Sequence, residues 1–139
     1  MASGKFQTYS QLLLNRLFNG TTWSIPGTLF IALFTVSPTV STTGTEASGG
    51  SYARASVVSN TTNWPVISGT TTTITNGTII TFPTATANWS AGANMVSAGI
   101  WDSLTTGILY YWGDVTVAKP VNSGDTATFP IGNLSVQEL

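Results

Sequence analysis

Nine side chains carry charge in this 139-residue chain: Lys5, Arg16, Arg54 and Lys119 against Glu46, Asp102, Asp114, Asp125 and Glu138, with no His and no Cys. Without His and Cys there can be no disulfide, no imidazole or thiolate metal ligand, no Ser-His-Asp triad and no imidazole base. A glycosidase-type acid/base pair would have to come from the five carboxylates. Asp102, Asp114 and Asp125 each stand beside Gly, Ser or Thr at expected strand ends, where Asp usually hydrogen-bonds its own turn. No segment offers more than one carboxylate at a time, as a calcium loop must, so no metal and no cofactor is expected. Ser and Thr fill 40 positions, but neither Lys5 nor Lys119 stands in a Ser-x-x-Lys setting that would activate a hydroxyl. The chain reads as a protein that binds and does not catalyse.

Contact chemistry is better represented. The aromatics Trp101, Tyr110, Tyr111 and Trp112 cluster around one expected hairpin, where alternation puts Tyr110 and Trp112 on one face and Tyr111 on the other. They suit either a core or a stacking patch for a sugar. Charged residues make up only 6% of the chain, against roughly 25% in ordinary domains. A net charge of −1 spread this thinly cannot neutralise a phosphate backbone, so nucleic acid is a poor partner. Little like-charge repulsion separates identical copies either, which favours self-association.

The elements that would position these residues are mostly strands. Residues 6–18 form the one convincing helix: Phe6, Tyr9, Leu12, Leu13, Leu17 and Phe18 recur at three- and four-residue steps. Ser3 is the expected cap, and Asn19-Gly20 the stop. Residues 28–36, TLFIALFTV, are apolar almost throughout, as expected of a strand covered on both faces. A loop at 39–51 contains Gly49-Gly50 and leads into a strand at 52–58 that carries Arg54, with Glu46 as its expected partner. Residues 70–75 and 78–82 flank Asn76-Gly77, the preferred pair of a type I′ hairpin. A second hairpin joins 95–101 to 108–112, Gly113-Asp114 punctuates, and short strands finish the chain. The expectation is an all-β chain, 1–139 as a single β domain, a β-sandwich or barrel of about 8–10 short antiparallel strands with one N-terminal amphipathic helix at about 5–18. No segment reads as a secretory signal, and the longest apolar run is far shorter than the roughly 18 residues that span a bilayer, so no membrane partner is expected.

The string GTEASGGSYAR at 44–54, preceded by TLFIALFT and SPT, and the later ITFPTATA, GIW, LYYWG and VNSGDT segments carry a resemblance. They resemble a family of small tailed-bacteriophage virion proteins usually labelled tail fibre proteins, over nearly the whole chain. The resemblance implies a virion component made in the host cytoplasm. A chain without heptads, collagen triplets or spare length is not a shaft. The reading is therefore a capsid cement or decoration protein that stabilises the head. Its partners would be itself, as a homo-oligomer and most simply a trimer, and the phage major capsid protein. The alternative is a tail fibre or tail-associated module that binds a host surface receptor. Glu46, Gly49, Gly50, Tyr52 and Arg54 on the loop, and Phe6, Tyr9 and Leu13 on the helix stripe, are the expected subunit or capsid contacts.

Overall fold

Residues 3–138 are described by a computed structural model. Strand β2 (Thr28–Val36) fulfils the expectation of a doubly covered strand and organises the rest. It pairs antiparallel with β7 (Met95–Trp101) on one side, and with β4 (Ala55–Val58) and the two-residue β3 (Thr45–Glu46) on the other. Beyond β7 lie β8 (Leu109–Lys119) and then β1 (Ser3–Lys5), which complete an open six-stranded sheet. Side chains alternate along β2. Ile31 and Leu33 enter one apolar cluster, Ala32 and Phe34 the other, so the sheet is packed on both faces.

Over the first face lie two short ladders, β5 (Thr73–Thr75) with β10 (Ser135–Gln137) and β6 (Ile80–Thr81) with β9 (Thr128–Phe129). Ile80, Phe82, Ala85 and Trp89 pack there with Ile31, Leu33 and Ile100. The chain is all-β with, among the described residues, one α-helix, α1 (Gln7–Phe18), as expected. The sheet stays open, and the second layer is built of these ladders and their loops.

Four local expectations are corrected. Ser3 does not cap the helix, because it pairs with Gly113 in β1. The helix starts after Phe6 without a side-chain cap, and the Gln7 amide donates to the Val40 carbonyl instead. Asn76-Gly77 is not a hairpin turn, since the flanking strands pair with the distant 128–137 region. Gly77 is needed for close approach: a Cβ there would lie 2.4 Å from the Thr62 carbonyl oxygen. Gly113-Asp114 does not end the strand: β8 runs through it, and only the register with β7 shifts beyond Asp114, between Ser97↔Asp114 and Met95↔Lys119. Finally, the β7–β8 register shifts between Ile100↔Tyr111 and Trp101↔Leu109. The extra residue of this bulge, Tyr110, joins Tyr111 on the first face, leaving Leu109 and Trp112 on the second with Trp101.

Asn76 holds the ladders together. It is only 1% exposed, its Nδ2 donates to the carbonyls of Thr78 (2.8 Å) and Pro130 (2.9 Å), and its Oδ1 accepts from the Leu134 amide (2.9 Å). Its backbone amide donates to the Leu134 carbonyl, and its carbonyl accepts from Gly132. One side chain thus satisfies several backbone groups that no regular ladder reaches. Asn76→Ala is expected to lower unfolding stability by on the order of 3 kcal/mol, because it leaves buried groups unpaired. Chemical denaturation monitored by tryptophan fluorescence measures it; a loss under about 1 kcal/mol would show that water replaces the amide.

Candidate interaction surface

The loop at 39–51 is fastened to the body along its second half. Ala47 donates its amide to Leu33 O, Ser90 to Ser48 O, and Thr86 to Gly50 O. Gly50 packs so closely that a Cβ would lie 2.2 Å from the Ala87 carbonyl oxygen, and its own carbonyl accepts from Trp89 Nε1 at 3.0 Å. Gly49, by contrast, is exposed, with φ +75° and open space around it.

Glu46, Tyr52 and Arg54 form one network, and the expected Glu46–Arg54 pair is present. Arg54 Nε and Nη2 donate to the two Glu46 carboxylate oxygens at 2.8 and 2.7 Å. Nη1 donates to the carbonyls of Ser103 (2.7 Å) and Thr106 (2.8 Å), and the guanidinium lies 4.0 Å over the Trp101 ring. Arg54 is 7% exposed and spends four of its five N–H donors inside the chain. Its place is that of a clamp joining β3, β4 and the β7–β8 turn. The Tyr52 hydroxyl donates to Glu46 (2.8 Å) and accepts from the Leu33 amide (3.1 Å). Burial, and then the Glu46 charge, push the Tyr52 phenol well above its usual range.

The other carboxylates are engaged locally. Asp102 accepts from the Ile108 amide (2.7 Å), Asp125 from the Asn122 amide (3.0 Å), and Asp114 from the Ser37 hydroxyl (2.7 Å). Asp102 and Asp125 therefore do the turn work expected of them, whereas Asp114 sits inside a strand. Glu138 forms an ion pair with Lys5 at 2.8 Å and accepts a short hydrogen bond from the Tyr111 hydroxyl, tying the end of the chain to β1 and β8. Burial alone would raise the Glu138 carboxyl, but the bonds from Lys5 and Tyr111 outweigh it and hold the group below the usual range. Burial and the bond to Glu138 raise the Tyr111 phenol.

Next to Glu138 opens a cavity of about 440 Å³. Tyr9, Trp23, Trp64, Tyr110 and Tyr111 wall it, with Ile25 and Ile67 among its aliphatic residues. Tyr9 stands at its centre, 4.6 Å from the Tyr110 ring, 5.2 Å from Tyr111 and 5.6 Å from Trp23. Trp64 Nε1 is buried with no acceptor among the described residues.

The eight expected contact residues thus fall in separate places. Phe6 packs on the second face, Tyr9 in the aromatic cavity, and Leu13 is half-buried one turn further along the helix. The apolar stripe covers the body only over the first two turns of α1. From Leu14 to Gly20 every residue is exposed, Leu14 by 57% and Leu17 and Phe18 by 75% each. Trp23, Trp64 and Ile67 escaped the sequence reading because they lie in segments without periodicity, which the tertiary fold alone gathers.

A family model described as podophage GP4 fiber I protein gp80 matches residues 5–137. The chain belongs to this family, and it is a structural component of a bacteriophage virion. No curated protein matches it.

Arg54→Ala is expected to cost about 3 kcal/mol of folding stability, since it strands the Glu46 charge and two loop carbonyls. Arg54→Lys should recover little, because an ammonium lacks the fork. Denaturant midpoints decide this, and a wild-type midpoint for Arg54→Ala would remove the clamp. Stability should also fall as pH rises above about 10: the unfolded phenols ionise there, while folded Tyr52 and Tyr111 keep their protons. The double Tyr52→Phe/Tyr111→Phe variant should lose most of that alkaline slope in pH-dependent melting, with Tyr110, whose phenol burial also raises, keeping the rest.

Proposed function

We propose that the chain works as a passive tail-fibre component of the podophage virion, assembling with copies of itself and with neighbouring virion proteins by burying apolar and hydroxyl-rich surface. The observation that carries the reading is the family match across residues 5–137. The chemistry agrees with it. Only nine charged residues exist, and two ion pairs, Lys5–Glu138 and Arg54–Glu46, already take up four of them within the chain. Contacts between subunits must then rest on burial, worth about 25 cal/mol per Å² of apolar area before the costs of association. No catalytic step is assigned to any residue.

A homotrimer is the simplest assembly for a fibre component. The capsid-cement reading shares this mechanism and differs in location; the family description favours the fibre. A host surface receptor is the partner such a module would meet at the tail.

Gold-labelled antibody on purified particles, viewed by electron microscopy, separates the two locations. Label confined to the tail is expected, and label spread over the head returns the protein to the cement reading. Retention on particles should survive salt well above physiological strength, where exposed charge pairs are screened within about 8 Å or less. Release at moderate salt would contradict association by burial.

A further inference from the structure

The second half of α1 has nothing to lie on. A helix of 12 residues is marginal in water on its own, and most helical stability comes from packing an apolar face. Here the first two turns are anchored through Tyr9, while Leu14, Leu17 and Phe18 stand in solvent beyond them. The helix then stops at Asn19 and turns at Gly20, whose φ is +66° and where an added Cβ would find open space. The result is an apolar knob projecting from the body.

The same chain carries an apolar hole. The cavity walled by Tyr9, Trp23, Trp64, Tyr110 and Tyr111 has about 440 Å³, roughly three times the ~150 Å³ that accepts a benzene ring in an engineered apolar cavity. Its rim adds Ile25, 78% exposed, and Ile67, 45% exposed, so the hole is bordered mostly by apolar surface, with Glu138 as the charged residue among its lining.

We propose that the end of α1 of one copy, carrying Leu17 and Phe18, seats in the aromatic cavity of a second copy. The inference rests on the reading of the chain as a self-associating structural component, and names the surfaces involved. Two further observations select a second copy as occupant. Trp64 Nε1, a donor in the wall, has no acceptor among the described residues, and the last turn of a helix ends in carbonyls that its own hydrogen bonds leave unpaired. Arg16, the one cation of the projecting half, has no ion pair among the described residues, and it would be carried beside Glu138, whose carboxylate lines the cavity and already pairs with Lys5.

Knob and hole are different surfaces, so the contact is head to tail. Repeated with a rotation that closes, it makes a ring, and the trimer proposed above is one such closure.

The chain has no Cys, which makes the test direct. Phe18→Cys and Ile67→Cys are made as separate proteins, mixed and oxidised. A disulfide-linked mixed dimer is expected, in excess over that formed when Phe18→Cys is mixed with Val117→Cys, a control at another exposed apolar position. In parallel, Leu17→Ser/Phe18→Ser should weaken self-association at least roughly 100-fold by sedimentation equilibrium, the loss of two buried anchors. Its thermal midpoint under monomeric conditions should not drop, because neither side chain is held by its own body. Self-association of the double variant equal to wild type overturns the proposal. So does a wild-type chain that stays monomeric up to about 1 mM, where even an interaction of about −4 kcal/mol would be seen. Loss of particle binding with self-association unchanged assigns the knob to another virion protein and equally overturns it. All of these readouts are made in solution or on binding, so a head location by microscopy would change the proposed function without touching this result.

Discussion

Strand β2 has to be covered on both faces, and most of the architecture follows from that requirement. Its buried centre, Ile31–Phe34, alternates between two apolar clusters, so each face of the sheet needs its own cover. On the first face the cover is a set of short ladders and loops too small to fold alone, because two-stranded pairs are marginal in water. On the second, Phe6 and Phe30 close over Trp101, Trp112 and Phe34. A bulge at Tyr110 sets two consecutive residues, Tyr110 and Tyr111, on the first cluster, which a regularly alternating strand could not do.

Polar side chains take the place of missing regular structure. Asn76 satisfies the backbone where the ladders meet, and Arg54 satisfies the carbonyls of the β7–β8 turn while holding Glu46. Both are nearly buried, and each closes contacts between segments about 50 residues apart in sequence. In a chain with so few charges, concentrating an Arg–Glu pair at such a junction ties loops down without placing it on the outer surface. The consequence is that the outer surface is sparsely charged, hydroxyl-rich and interrupted by apolar residues, a surface suited to contact with other subunits.

The helix shows how one element serves two ends. Its first turns complete the first cluster through Tyr9, and the Gln7 amide is satisfied by the Val40 carbonyl. Its last turns leave the body and present apolar side chains outward. A family of virion fibre proteins has use for such a division, since subunits of an assembly meet through surfaces that the single chain leaves open.

Composition and pattern by themselves determined the all-β class, the doubly covered strand at 28–36, the helix and its stop at Asn19-Gly20, the hairpin of β7 and β8, and the Glu46–Arg54 pair. These rest on local spacing, and local spacing is what a sequence displays. Only the tertiary structure decided that Asn76-Gly77 joins two ladders instead of turning a hairpin, because its partners lie more than fifty residues away. Only it decided which half of the amphipathic stripe is covered, since the 3.6-residue period marks a face without saying how far along that face the body extends. The aromatic cavity belongs to the same class: Tyr9, Trp23, Trp64 and Tyr110 come from four separate segments, and no periodicity links residues that meet only when a sheet and its ladders close around them.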